Sequence, residues 1–363
     1  MIVNEDCIKH LKTIEDNYFD SVVTDPPYHL TSIVKRYTTG KKNVYGKDGS
    51  FQRLTSGFMG QKWDGGDIAF TTELWKEVYR TLKPGGYLLS FAASRNYHRM
   101  AVAIEDSGFE IRDQIMWIYG SGFPKSLNIG KALDKKQGNK RKVIGSTNQQ
   151  DIRSGNYVQG PQDRIDVPIT KGDSEWEGWG TALKPAHEPI CMARKSISEK
   201  SVADNVLKHG TGGINIDGCR VTTDENISNH SRSAESAVSK GIYGDSKEQE
   251  THQTQGQELG RFPANLIHDG LEEDWARFFY CPKANKKEKG DTNHPTVKPV
   301  ELMRYLVRLV TPKDGIVLDP FAGTGTTGEA CILEDRNYYL IEAEGSYIKD
   351  IENRTNKYNR LGL

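Results

Sequence analysis

The sequence is poor in cysteine, in long apolar runs and in net charge, and each shortage removes a class of protein. Its 363 residues hold five cysteines, Cys7, Cys191, Cys219, Cys281 and Cys331, widely spaced and without any Cys-x-x-Cys. An odd, scattered set argues against a disulfide framework and against a thiolate zinc site, and reads as reduced thiols. No apolar stretch approaches the roughly 20 residues that span a bilayer, and nothing near Met1 resembles the apolar segment of a secretory leader. The expectation is a cytoplasmic protein with no membrane partner and no bound metal. Lys plus Arg and Asp plus Glu both number 49, so total charge carries no signal and only local patches bear on a polyanionic partner. A chain of this length buries a core large enough to need no covalent staples, in one large or two modest domains.

What is present is a rhythm of short apolar runs and helical patterns at both ends of the chain. Residues Cys7 to Ile14 predict a helix, Ser21 to Thr24 a strand, Thr71 to Leu82 a helix and Tyr87 to Phe91 a strand. Lys83-Pro84-Gly85-Gly86 reads as the turn between the last two, because proline stops a helix and glycine permits the positive φ that follows. A helix over Arg95 to Asp106 and a strand near Glu110 to Ile118 complete this half. After Pro299 the pattern returns, with helices over Val300 to Val310, Thr326 to Glu334 and Tyr347 to Tyr358, and strands over Ile316 to Leu318 and Tyr338 to Ile341. The expected fold is α/β, a doubly wound, seven-stranded and mostly parallel sheet. Between the halves, polar residues and glycines dominate, which predicts a loop-rich insert over 121–280 inside a discontinuous domain of 1–120 and 281–363.

Two motifs stand where parallel strands should end. Asp25-Pro26-Pro27-Tyr28 closes the apolar pair Val22-Val23, and Asp319-Pro320-Phe321-Ala322-Gly323-Thr324-Gly325 closes Ile316-Val317-Leu318. In open α/β sheets ligands bind beyond the carboxyl ends of strands where the strand order reverses, so both endings can share one crevice. Gly323-x-Gly325-x-x-Gly328 also matches the dinucleotide fingerprint, with Glu342 ending the next strand where a ribose-binding acid belongs. A nucleoside is implied, though not which one. A phosphate-binding P-loop is excluded because Glu329 stands where lysine should follow the glycines, and an acid there would repel polyphosphate. In Asp25-Pro26-Pro27-Tyr28, two prolines remove two amide donors and leave carbonyls beside an acidic acceptor and an aromatic face. Such a motif suits a flat amino group that donates hydrogens; a stiff turn after a strand is the plainer reading.

These motifs, with His294-Pro295-Thr296-Val297-Lys298-Pro299, resemble those of the amino-group DNA methyltransferases, in the order of their β group, catalytic motif first and cofactor motif last. The resemblance covers 1–120 and 281–363. It implies S-adenosylmethionine as cofactor, a class I methyltransferase sheet, and a recognition role for 121–280. It further implies that Phe321, Gly323 and Gly325, flanked by Pro320, Thr326 and Thr327, line the cofactor groove. Asp319 would meet the methionine amino group, Glu342 the ribose and Asp6 the adenine, while Thr296 and Lys298 would close over the methionine end. Asp25 and the carbonyl of Pro26 would accept the two hydrogens of the target amino group, with Pro27 stiffening the turn and Tyr28 stacking on a base swung out of the helix. Double-stranded DNA is the implied partner, and a homodimer and a cognate restriction endonuclease are compatible with the family.

Within the resemblance, aspartate rather than serine at the first catalytic position favours N6 of adenine over N4 of cytosine. Carbon-5 methylation needs a cysteine nucleophile, usually after proline, and no Pro-Cys occurs. Phosphate contacts are expected from Lys35, Arg36, Lys41, Lys42, Lys47 and Arg53, and from Lys125, Lys131, Lys140, Arg141 and Lys142; solvated faces are the alternative. Trp176 and Trp179 could wedge into a base stack or pack the insert. The rivals are a nicotinamide oxidoreductase, resting on the glycine fingerprint, a release-factor-type glutamine methyltransferase, and a DNA-binding protein whose catalysis has lapsed.

Overall fold

A computed structural model describes residues 1–28, 67–120, 126–150, 164–223, 260–270 and 297–359. They fall into two compact units. The larger takes the described parts of Met1–Leu30, Trp63–Tyr119 and His187–Leu363; the smaller includes the described part of Gly120–Ala186.

The larger unit is built on an eight-stranded sheet. Its strands are β1 (Ile2–Asn4), β2 (Phe19–Thr24), β3 (Leu82–Phe91), β4 (Glu110–Tyr119), β7 (His187–Arg194), β8 (Leu266–Asp269), β9 (Ile316–Asp319) and β10 (Asn337–Glu342). The order across the sheet is β1-β10-β9-β2-β3-β7-β4-β8. All neighbours are parallel except β7, which runs antiparallel to both β3 and β4. Helices α1 (Cys7–Leu11), α2 (Thr72–Thr81), α3 (Tyr97–Glu105), α5 (Val202–His209), α6 (Val300–Val310), α7 (Thr326–Leu333) and α8 (Gly345–Asn359) belong to this unit.

The strand period of two sorts the core into the two faces of the sheet. Val22, Leu88 and Leu318 join Leu74, Trp75, Met100 and Ile104 on one side. Their neighbours Val23, Leu89 and Val317 join Leu306, Val307 and Cys331 on the other. Strand β2 is buried along its whole length, as a central strand covered on both faces must be. Each fully buried valine or leucine here contributes about 1.5–3 kcal/mol. The buried polar residues of β2 are all paired: Asp20 takes Lys83 Nζ at 2.6 Å and the Ile316 amide at 2.8 Å, and Ser21 bonds Thr311 across 2.8 Å. That pairing is why the strand begins at Phe19, two residues before the apolar run predicts.

Two expectations need correction. The sheet has eight strands among the described residues, not seven, and β7, β8 and α5 lie inside the stretch 121–280 expected to form the insert. The signal for β7 was the short run Ile190-Cys191-Met192-Ala193, all buried, but Pro189 precedes it, and proline within a run demotes it as a central strand. Pro189 is the third residue of β7, and its carbonyl accepts from the Ala92 amide at 3.0 Å. Lys83 to Gly86 does turn, with Gly85 at φ +79°, but inside β3: the register jumps from Phe19↔Leu82 to Ser21↔Tyr87, leaving Asp20 opposite four residues.

The smaller unit contains α4 (Ile129–Gln137) and the antiparallel hairpin β5 (Lys142–Gln150) with β6 (Arg164–Lys171). Asn128 caps α4 by accepting the Lys131 amide at 2.8 Å, and Gly138 ends it in the left-handed region.

Candidate active site

The order of the sheet reverses between β2 and β9. From β2 the chain proceeds through α2 to β3 on one side, and from β9 through α7 to β10 on the other. The two strands are parallel neighbours with Ser21↔Val317 and Val22↔Leu318 in register, so Asp25 and Asp319 leave the sheet at the same edge. A direct bond joins the two motifs, as Thr24 Oγ1 donates to Asp319 Oδ1 at 2.7 Å. The ends of the chain meet at the switch point where ligands bind in such sheets.

On the β2 side, Asp25 faces Lys298, the residue just before Pro299 and α6. Lys298 Nζ donates to Asp25 Oδ2, lies 3.3 Å from Glu188 Oε2, and donates to the Tyr28 hydroxyl at 3.2 Å. The Tyr28 hydroxyl in turn donates to Glu188 Oε2 at 2.7 Å. Lys298 is 9% exposed, with its ammonium 4.8 Å from the centre of the Phe91 ring and 5.4 Å from that of Tyr28. Burial pushes its pKa down, but the charges of Asp25 and Glu188 outweigh that and take it to about 12. Burial first, then the same two carboxylates, hold the Tyr28 phenol well above its ordinary value. Both groups stay protonated at neutral pH. Asp25 Oδ1 is buried and has no hydrogen-bond partner among the described residues.

Pro26, Pro27 and Tyr28 line a shallow apolar crevice with Phe70, Phe91 and Met100. Asn96, at the start of α3, donates from Nδ2 to the Tyr28 carbonyl and so pins the end of the motif.

On the β9 side, the Asp319 carboxylate organises the turn. It accepts from Thr24, from Thr327 Oγ1 at 2.5 Å and from the Phe321 amide at 3.1 Å. Burial drives its pKa up to about 6, against the opposing pull of those three donors. Gly323 and Gly325 sit at φ +52° and +82°, and a Cβ on Gly325 would meet Ile351 at 3.0 Å. Pro320, Thr326 and Thr327 are buried, and Phe321 packs partly against the core. Glu342, at the end of β10, accepts the Gly323 amide at 2.8 Å and the Glu344 amide at 2.8 Å. Burial raises its pKa. Asp6 caps α1 through the Lys9 amide at 2.9 Å; since Asn4 pairs with Glu342 in β1 and β10, both acids stand at the same edge of the sheet. A nucleoside cofactor fits this set: a tight glycine turn at a helix N-terminus, and beyond the next strand a carboxylate whose two oxygens keep lone pairs for ribose hydroxyls.

Not every expected residue is brought to this site. Lys298, expected to close over the methionine end, lies against the carboxylate of Asp25. Thr296, Lys35, Arg36, Lys41, Lys42, Lys47, Arg53 and Lys125 are outside the described residues. In the smaller unit Lys131, Lys140 and Lys142 are exposed, whereas Arg141 is not available to a phosphate. It pairs with Asp134 and with Glu177 at 2.7 Å, and donates to the Thr170 carbonyl at 3.0 Å. Trp176 and Trp179 pack edge to face at 5.1 Å and remain partly exposed. Glu329 does not face a ligand beside the glycines: it is buried, and Arg354, Lys357 and Tyr358 of α8 hold it at 2.6, 3.2 and 2.6 Å. The exclusion of a P-loop therefore rests on the missing lysine and not on repulsion.

Sequence reasoning missed Glu188, Asn96 and Thr24. The first carried a faint signal, a carboxylate in His187-Glu188-Pro189 just before the apolar run of β7; the others are single polar residues that only the fold brings to the motif.

The chain matches a family model described as DNA methylase over residues 19–353. It is 25% identical over 343 residues to the type II methyltransferase M.HindIII of Haemophilus influenzae, covering 90% of this chain and 85% of that protein. A shorter stretch of 68 residues is 44% identical to the type II methyltransferase M2.MboI of Moraxella bovis, covering 19% of this chain and 25% of that one. Among solved structures, PvuII DNA methyltransferase, cytosine-N4-specific, aligns with a TM-score of 0.47 at 14% identity over 99% of this chain and 91% of its own. The complex of M1.HpyAVI with S-adenosylmethionine aligns at 0.41 and 15% identity over 98% and 99%. With the family model spanning nearly all of the sequence, the chain belongs to the N6/N4 family of DNA methylases, whose methyl donor is S-adenosylmethionine.

Proposed function

We propose that this protein is a site-specific methyltransferase acting on N6 of adenine in double-stranded DNA. The observation that carries the reading is the buried Asp25 Oδ1, without a partner among the described residues, beside the Pro26-Pro27 backbone. A buried acceptor without a donor costs free energy and calls for an explanation, and a substrate amino group supplies the missing donor. An exocyclic amino nitrogen is a poor nucleophile because its lone pair is delocalised into the ring. Asp25 and the Pro26 carbonyl accept its two hydrogens and draw it toward tetrahedral geometry, so that the lone pair is free for in-line attack. Bound S-adenosylmethionine supplies the electrophilic methyl group. Positioning and electrostatics carry the catalysis, with no covalent enzyme intermediate. Tyr28 stacks on the flipped base within the apolar crevice. Glu342 holds the ribose, Asp6 the adenine of the cofactor, and the Gly323 to Thr327 turn its methionine end, with Asp319 as the countercharge.

Aspartate at position 25 is the residue that favours adenine over cytosine. The smaller unit, with Lys131, Lys140 and Lys142 exposed, serves target recognition in this reading, and a cognate restriction endonuclease is part of the same reading, supported by the type II names of its relatives. The test is to methylate unmodified DNA with labelled cofactor and digest it to nucleosides. Label in N6-methyldeoxyadenosine is expected; label in N4-methyldeoxycytidine would overturn the base assignment, and unlabelled DNA would overturn the activity.

A further inference from the structure

Glu188 comes from β7, a strand outside both signature motifs, yet it reaches the centre of the catalytic cluster. One of its oxygens, Oε2, accepts from the Tyr28 hydroxyl at 2.7 Å and lies 3.3 Å from Lys298 Nζ. The other, Oε1, accepts from the Tyr119 hydroxyl of β4 at 3.4 Å. An ammonium has three donors, and Lys298 has three acceptors around it: Asp25 Oδ2, Glu188 Oε2 and the Tyr28 hydroxyl. Two of its protons are given to Asp25 and Tyr28, the third contact is the ion pair with Glu188, and Asp25 Oδ1 has no partner among the described residues. Were Glu188 absent, the buried ammonium would lose one of the two carboxylates that balance it, and the Asp25 carboxylate would be left as its counter-ion.

We propose that Glu188 is a positioning residue for methyl transfer: by sharing Lys298 with Asp25 and holding the Tyr28 hydroxyl, it keeps one Asp25 oxygen open for the target amino group and sets the ring on which the base stacks. Glu188 touches neither cofactor nor base in this scheme, and acts through Lys298 and Tyr28. The two attachments are separable. A glutamine at 188 can still accept from the Tyr28 hydroxyl but cannot balance the ammonium charge, whereas alanine removes both functions.

This inference rests on the reading as a DNA methyltransferase, and the experiment separates the two. Methyl transfer to unmodified DNA, equilibrium binding of S-adenosylmethionine and of DNA, and thermal unfolding are measured for the parent, Glu188→Ala, Glu188→Gln, Lys298→Met and the double variants. Glu188→Ala is expected to lower kcat about 30-fold or more while both dissociation constants stay within about twofold, and Glu188→Gln to lose about 3- to 10-fold. In the Lys298→Met background, where no ammonium is left to balance, either change at 188 is expected to cost less than about threefold further. Should Glu188→Ala fail to fold, Glu188→Gln alone and in that background carries the same comparison. Overturning results are a parent-like kcat in the variants at 188, a loss undiminished by Lys298→Met, or a parallel fall in cofactor affinity and melting temperature that marks a merely structural role. A parent that transfers no methyl to DNA would instead remove the underlying reading, and the role of Glu188 with it.

Discussion

At the scale of single residues, the site divides by what holds each carboxylate. Asp25 is countered by a buried ammonium and keeps an open oxygen, while Asp319 is wrapped by two threonines and an amide. The consequence is a pH dependence. Asp319 titrates at about 6 in the folded protein against an ordinary value of 3.8, because burial disfavours its charged form. Its contribution to stability is therefore complete below pH 3.8 and lost as pH rises through about 6. In the proposed site, binding of a cation runs the other way, since the ionised carboxylate would attract the ammonium of the cofactor. Affinity for S-adenosylmethionine is expected to rise with pH through about 6 and to fall by up to about tenfold per unit below it. Calorimetry across pH 5 to 8 on the protein and on Asp319→Asn checks this on the order of one pH unit. The inflection should vanish in the variant, and its persistence would assign it to another group. Asp25 and Asp319 were legible in the sequence because each closes a short apolar run at a strand end. Glu188 and Asn96 were not, because nothing local marks a lone polar residue that the fold brings to a motif far along the chain.

At the scale of elements, the turn from β9 into α7 joins local conformation to the proposed cofactor site. Gly325 sits at φ +82°, and a Cβ there would lie 3.0 Å from Ile351 Cγ2 and 3.1 Å from its Cα. Gly325→Ala is expected to destabilise the protein by about 1–3 kcal/mol, combining left-handed strain with the displacement of α8. A denaturant midpoint lowered at unchanged slope would bear this out; a midpoint equal to the parent's would mean that the turn relaxes freely. Elements with a clear period were read well from sequence. Helix α6 buries Leu302, Met303, Leu306 and Val310, the spacing of one helical face, and it was expected over the range it occupies. Strand β7 was hidden by Pro189, and β1 by its length of three residues. The ordered elements α4 and β5–β6 were hidden for another reason: Val143, Ile144 and Ile169 point to solvent, so their apolar residues follow no burial period. Arg141 looked like one more basic residue of a run, but Asp134, seven residues before it, and Glu177, distant in sequence, hold its guanidinium.

At the scale of the whole molecule, the central feature is that the chain closes on itself. Strands from its first and last portions lie side by side, Thr24 bonds Asp319, and Lys298 pairs with Asp25, so neither terminal segment holds a complete site. The strand order was foreseeable only in part. The place of the switch follows from where the two motifs end their strands, whereas the antiparallel β7, threaded between β3 and β4, depends on contacts that no local pattern encodes. In the proposed reaction the two sides take different ligands, the methyl-accepting amino group on the β2 side and the cofactor on the β9 side. The measurement that tests the division most directly is methyl transfer to DNA and equilibrium binding of S-adenosylmethionine, made side by side on Asp25→Ala. The account predicts that transfer is abolished while the cofactor dissociation constant stays within about twofold of the parent's. Retained transfer, or cofactor binding lost together with it, would contradict the account.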